Sequence, residues 1–253
     1  MRRANKQILC FLVISLISCC SFADQVRIAV AGNFYQPLKL ISAQFSQLSG
    51  HELQVSVGST GKLYAQIING APFDVLISAD QIRPTKLAAQ QLAIKKTQFT
   101  YAIGKLVLWS RDQSLIDNQG MHLKTGTLKH LAIANPKIAP YGEQAVNVLK
   151  NMGIYQQLAS KLILGQSVGQ TFQHLSTGSV QQGILALSQV MQDGTISSGS
   201  GWIIPDALYQ PIQQDAILLN KGKNNAAAIA FLAYLKNPQS EKVIRSFGYQ
   251  AGS

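Results

Sequence analysis

Ser59 and Lys62 stand three residues apart in VSVGSTGKLYAQIINGAPFDVLISAD, residues 55–80, a spacing at which a lysine can help to activate a serine nucleophile. Two other chemistries compete for the same turn. Gly61-Lys62 matches the end of a phosphate-cradling loop, and Gly58, Ser59, Thr60 and Gly61 are small residues between an alternating strand and an amphipathic helix. Small residues at such a turn let a ligand approach the backbone N–H groups that a first helical turn leaves without internal partners, which is a way to hold an anion.

The enzyme reading needs more than one turn. Lys124-Thr125-Gly126 supplies the K-T-G element that accompanies S-x-x-K in penicillin-binding proteins and β-lactamases. The S-x-N element is missing, because Ile116 precedes Asp117-Asn118, and the 65 residues from Ser59 to Lys124 leave little room for the helical domain those enzymes need. A serine enzyme using Ser59 and Lys62 therefore remains only as an alternative. The phosphate loop fails directly, since Ser56 replaces its first glycine and Leu63 its last hydroxyl residue. His51, His122, His130 and His174 lack metal-ligand spacing. Asp74 and Asp80 flank the DVLIS run, and Asp80 reads as a cap for the helix that follows.

The elements that position this turn repeat along the chain. Val26, Ile28 and Val30 alternate as a strand, AGN follows, and Pro37 opens an apolar series at Leu38, Ile41, Phe45 and Leu48 that Gly50 closes. Leu53, Val55 and Val57 form a second strand, Leu63 and Ile67 the inner face of a second helix, and FDVLISAD a third, buried strand. The pattern resumes with HLAIANP, a helix through Ala145, Val148, Leu149 and Met152, the strand and turn KLILGQSVGQ, and the buried QQGILALSQV. Such alternation predicts an α/β protein with mainly parallel sheets, and the two similar blocks predict two lobes. Two final helical runs, parted by Pro238, are expected to pack back on the first lobe. The expected division is residues 24–103 for the first lobe, 104–205 for the second, and 206–253 for a return segment.

Residues 1–23 read as a secretory signal: Arg2, Arg3 and Lys6, an apolar run, then Ser21-Phe22-Ala23 as the cleavage site. A second reading takes Leu16-Ile17-Ser18-Cys19 as a lipobox that leaves a lipid-anchored Cys19. Cleavage after Ala23 removes Cys10, Cys19 and Cys20, all the cysteines, so the mature chain has no disulfide and no thiolate site. It retains 19 basic and 11 acidic residues, a net charge of +8 that favours anionic partners. The basic clusters at Lys95-Lys96 and LNKGKNN are short and carry no interleaved aromatics, so nucleic acid is not expected as a partner.

Four turns follow a strand and open a helix: AGNFYQP, GSTGKL, APYGEQ and QSVGQT, two from each block. In α/β sheets such turns gather at the carboxyl ends of the strands, where ligands bind. Apart from Lys62 and Glu143 they carry no charge, which suits a fully ionised oxyanion held by neutral donors. Phosphate is disfavoured, because no turn supplies an arginine or an acceptor for its proton. Sulfate differs from larger tetrahedral oxyanions mainly in size, and stays open as an alternative.

The segments VAGNFYQPLKLISAQF, GSTGKLYAQIINGAPFDVLISAD, IANPKIAPYGEQAVNVL, STGSVQQGILALSQV and GWIIPDALYQPI resemble the periplasmic molybdate-binding proteins that feed ABC importers, and the likeness covers nearly the whole mature chain. The resemblance implies a two-lobed type II periplasmic binding fold, with a ligand cleft between the lobes that closes on molybdate or tungstate through hydrogen bonds alone. It further implies no cofactor, no direct metal ligand from the protein, no enzymatic activity, a monomer, and an inner-membrane ABC permease as partner. Matched position by position, Asn33 is expected to donate from side chain and backbone, Ser59 from its hydroxyl, and Tyr141 and Val168 from their backbone N–H groups. Some members place a tyrosine hydroxyl on the oxyanion from the position of Ala186; that donor is absent here, and Asn33 paired with Tyr141 is the expected compensation.

Overall fold

The computed structural model describes residues 25–117, 119–125 and 128–252. The signal and lipobox readings of residues 1–23, together with Asn118 and Gly126 of the acyl-transfer motifs, lie outside the described residues. From the N-terminus run β1 (Gln25–Ala31), α1 (Tyr35–Ser49), β2 (Glu52–Gly58), α2 (Thr60–Ile68), β3 (Val75–Ile77), α3 (Ile82–Ala89) and β4 (Phe99–Gly104). The chain continues through β5 (Leu106–Ser110), α4 (Met121–Lys124), β6 (Leu131–Ala134), α5 (Pro140–Asn151), α6 (Tyr155–Leu158), β7 (Leu162–Gly165), α7 (Val168–Ser176) and β8 (Gly183–Ala186). A hairpin of β9 (Met191–Gln192) and β10 (Thr195–Ile196) leads to β11 (Ser200–Ile203), after which come β12 (Ile212–Leu218), α8 (Ala226–Leu235), α9 (Pro238–Ser246) and β13 (Gln250–Ala251).

Two sheets organise these elements. One has the order β13-β4-β12-β3-β1-β2 and the other β11-β5-β8-β6-β7. Helix follows strand where the periodicity predicts it: Leu38, Ile41 and Phe45 bury one face of α1 against the first sheet, while Leu48 in its last turn is exposed. The sheets are mixed rather than mainly parallel. Parallel pairing holds for β1 with β2 and β3, and for β6 with β7 and β8. The strands that carry the chain between the sheets break it, because only Lys105 separates β4 from β5, and β12 returns antiparallel between β3 and β4. The strand β12 was hidden in the sequence by Gln213-Gln214-Asp215, which interrupt its apolar pattern.

Each sheet has its own core. In the first, Val26, Ile28 and Val30 pack with Phe34, Leu38, Phe45 and the C-terminal Phe231, Leu232 and Ile244, so α8 and α9 close the lobe begun by β1. In the second, Leu106, Leu108, Leu131 and Ile133 meet Ala145, Val148 and Leu149 of α5. Asp74, buried at the start of β3, accepts from the Arg27 backbone N–H at 2.8 Å and from its guanidinium at 3.1 Å, which locks β1 to β3. Phe231 is fully buried and meets Phe45 edge-on, with ring centroids 5.5 Å apart. Phe231→Ala is expected to cost about 3–5 kcal/mol, the range for a truncated core aromatic. A urea titration of the purified variant checks this through its lowered midpoint.

Candidate functional site

The four turns singled out in the sequence meet where the two sheets face each other. Gly61 N, in the first turn of α2, donates to Ile138 O, just before α5, at 2.9 Å. A methyl group on Gly32, after β1, would lie 3.4 Å from Gly169 N in the first turn of α7. Each turn of the first lobe thus touches one of the second. The four predicted residues are nearly sealed from solvent, with Asn33 at 2%, Ser59 at 4%, Tyr141 at 2% and Val168 at 5% exposure, so the lobes are closed over them.

Local sequence sets what each turn offers. Ser59 is the N-cap of α2, its Oγ accepting from Lys62 N at 3.4 Å, which leaves the hydroxyl proton free to donate elsewhere. Thr60 is held by Ala79 N, which donates to its Oγ1 at 3.1 Å. Ala139 precedes α5 and has no side chain to cap it, and Pro140 at its start has no N–H. The Tyr141 N–H is then the first donor of the helix, and it has no acceptor among the described residues. Ser167 caps α7 by accepting from Gln170 N at 3.1 Å, and the Val168 N–H likewise has no acceptor among the described residues. Acidic residues, which usually favour a helix start, are absent from the first turns after β1, in α2 and in α7; Glu143 in α5 is exposed.

Behind this surface lies a buried polar network that crosses the lobe boundary. Asn33 Nδ2 donates to Gln214 Oε1 at 2.7 Å and to the Tyr249 hydroxyl at 2.9 Å, while Asn33 Oδ1 is buried without a partner. Gln214 Nε2 donates to the Tyr141 hydroxyl at 2.9 Å, and Tyr101 donates to Gln214 Oε1 at 3.1 Å. Ser188, just after β8, donates to Asn33 O at 2.9 Å, and the Tyr249 hydroxyl donates to the same carbonyl at 3.0 Å. Gly104 makes room for this network at the crossing between lobes, because a side chain there would overlap the Tyr141 hydroxyl and Gln214 Nε2. Burial raises the hydroxyls of Tyr101 and Tyr141 well above the ordinary tyrosine value and pushes Tyr249 up to about 12. All three hydroxyls stay neutral at any ordinary pH.

The sequence brought Asn33, Ser59, Tyr141 and Val168 into view but missed Gln214, Ser188, Tyr101 and Tyr249. Nothing in their spacing marks them, since they come from four separate elements. The competing catalytic reading finds no geometry: Ser59 Oγ is bonded to the backbone of Lys62, whose side chain is exposed. Asp80 stands one residue before Gln81, the N-cap of α3, and its Oδ1 accepts from Arg83 N in the first turn at 2.9 Å, a capping role for the helix that follows rather than a catalytic one. No cluster of histidine, cysteine or acidic residues able to hold a metal ion occurs among the described residues, nor is any described helix long and apolar enough to cross a membrane.

Residues 26–250 match the family described as bacterial extracellular solute-binding protein. The chain is 48% identical over 234 residues to the molybdate-binding protein ModA of Azotobacter vinelandii, covering 92% of this chain and 93% of that protein. It is 45% identical to ModA of Rhodobacter capsulatus over 227 residues, covering 90% and 88%. The solved periplasmic molybdate-binding protein of Azotobacter vinelandii superposes with a TM-score of 0.87 over 90% of this chain and 100% of that one, at 38% identity.

Two outcomes follow from this geometry. A methyl group on Gly61 would lie 2.9 Å from Ile138 O, so Gly61→Ala is expected to hold the lobes apart. Its unfolding free energy should stay within about 1 kcal/mol of the wild type, alanine being the better helix former, while solution scattering reports a larger radius of gyration. The raised tyrosines make folding depend on pH at the alkaline end. Their stabilisation is fully present below the unfolded tyrosine value of about 10, and is lost as pH rises through the folded value of about 12 for Tyr249. Thermal midpoints should be insensitive to these groups between about pH 7 and 9, and should fall above that window.

Proposed function

The chain belongs to the bacterial extracellular solute-binding protein family, and from that premise we propose that it binds molybdate, and tungstate, outside the cytoplasm and delivers them to an ABC permease. The observation that carries this reading is the meeting of four helix-opening turns, two from each lobe, that present neutral donors and no charged side chain in the sealed interior. The nearly full-length likeness to two ModA proteins supports molybdate as the anion. The family is one of binding proteins rather than enzymes, and the ligand needs no cofactor.

In the proposed cycle the open protein first takes the dianion on the first lobe, through Asn33 and the Ser59 hydroxyl. The Tyr141 and Val168 N–H groups of the second lobe then complete the shell, and their differential contact favours closure. The two chain crossings next to Gly104 and between Ile203 and Ile212 are the natural hinges, since each joins a strand of one sheet to a strand of the other. Closure is held by the bonds from Gly61 N to Ile138 O and from Ser188 Oγ to Asn33 O. The closed form is the one a permease would recognise. The expected product of signal cleavage is a periplasmic monomer.

Calorimetric titration of residues 24–253 with molybdate, tungstate, sulfate and phosphate at equal ionic strength tests the assignment. Tight one-to-one binding of the first two, with weak or absent sulfate binding, is the expected result; sulfate bound as tightly as molybdate would favour the rival anion. Ser59→Ala should weaken molybdate binding by about 1.5–3 kcal/mol, the range for a hydrogen bond to a charged group. An unchanged dissociation constant in that variant would remove Ser59 from the shell.

A further inference from the structure

Gln214 is fully buried on β12, and its amide joins the proposed ligand residue of one lobe to that of the other. Its Oε1 accepts from Asn33 Nδ2 at 2.7 Å and from Tyr101 at 3.1 Å, and its Nε2 donates to the Tyr141 hydroxyl at 2.9 Å. Asn33 thereby commits both N–H bonds inward, the second to Tyr249 at 2.9 Å, and its Oδ1 is the atom left without a partner. An amide oxygen turned toward an oxyanion repels it, whereas the amide nitrogen in the same place donates to it.

The two ends of an amide have nearly the same shape, so the network can be tested for a second arrangement. Turning over Asn33 alone would set its Oδ1 against Gln214 Oε1, two acceptors face to face. Turning over Gln214 alone would set Nε2 against Asn33 Nδ2, two donors. Turning over both restores the bonds among the two amides, Tyr101 and Tyr141. Gln214 Nε2 then donates to Asn33 Oδ1 and to the Tyr101 oxygen, while Tyr101 turns its one proton fully to Ser78 O, 3.1 Å away. Gln214 Oε1 accepts from the Tyr141 hydroxyl. Tyr249 turns its proton from Asn33 O to Asn33 Oδ1, and Ser188 Oγ keeps its donation to Asn33 O at 2.9 Å. Asn33 Nδ2 is released toward the ligand.

We propose that Gln214 is a positioning residue for the oxyanion: its amide orientation dictates that of Asn33, and the two invert together when Asn33 donates to the bound anion. The inference rests on the reading of Asn33 as a ligand side chain. It also gives the Tyr141 side chain a part in the event, because its hydroxyl changes from acceptor to donor while its backbone N–H faces the anion.

A double-mutant cycle with molybdate as the titrant tests this. Asn33→Ala is expected to weaken binding by about tenfold, Gln214→Met by a similar factor, and the double variant no more than Asn33→Ala alone. Asn33→Ala with wild-type affinity would defeat the reading of Asn33 as a ligand, and the inference with it. An effect for Asn33→Ala combined with wild-type affinity for Gln214→Met, or with an equal loss from Gln214→Met in both backgrounds, would overturn the positioning role alone. The wild-type protein provides a readout that no folding defect can mimic. The side-chain amide 1H–15N resonances of Asn33 and Gln214 should both move on adding molybdate, and movement of Asn33 with Gln214 unmoved would overturn the coupling.

Discussion

The structure depends on a deficit that every helix start carries: its first N–H groups have no partner within the helix. Most proteins meet that deficit locally with side chains and water. Here α5 opens with Ala139, which has no side chain to cap, and Pro140, which has no N–H, and its Tyr141 N–H has no acceptor among the described residues. The caps of α2 and α7 satisfy one donor each, Gly61 N in α2 is taken by Ile138 O across the boundary, and the Val168 N–H of α7 has no acceptor among the described residues. A lobe alone offers too few such groups to hold an anion in competition with water, since a single exposed helix end contributes only about 0.3–1 kcal/mol. Two sheets brought face to face double the count and exclude solvent, which raises the worth of each bond. The two-lobed architecture follows from this need for convergence.

Convergence in turn requires backbones to touch. The contact of Gly61 with Ile138 has no space for a side chain, and the approach of Gly32 to Gly169 has little. Glycine at position 61 is therefore explained by the closed state rather than by the turn conformation of its own lobe. The bonds that cross the boundary are few and polar, and each can be replaced by water on opening. A hydrophobic interface of the same extent would hold the lobes shut whether or not a ligand were present.

The helices and the β1, β2, β6 and β7 strands were legible because their apolar residues keep a regular period, and the candidate ligand turns follow from them. What the sequence concealed was β12 and the network it carries. Gln214 and Asp215 are buried, yet to a periodicity reading they look like a loop. The same two polar residues that hide the strand join the parts: Asp215 accepts from Thr100 at 2.7 Å and from Gln98 at 2.7 Å, and Gln214 links Asn33, Tyr101 and Tyr141. Mixed rather than parallel sheets have the same origin, because the unseen strand is the one that returns antiparallel.

In the proposed site Ala186 stands where a hydroxyl donor would have to be supplied from elsewhere. It ends β8 fully buried and has no hydroxyl to offer. Two residues later Ser188 bonds the Asn33 carbonyl, and Tyr249, Tyr101 and Tyr141 surround the Asn33 and Gln214 amides. The hydroxyls here stand behind Asn33, where they fix its position and share its hydrogen bonds. An asparagine so held keeps its place before and after its amide turns over, so little side-chain freedom is lost on binding. Neutral amides and hydroxyls also keep the site indifferent to pH across the range in which the oxyanion is fully ionised. None of the described lysines and arginines is buried, so the net positive charge that favours an anion acts from the surface at long range.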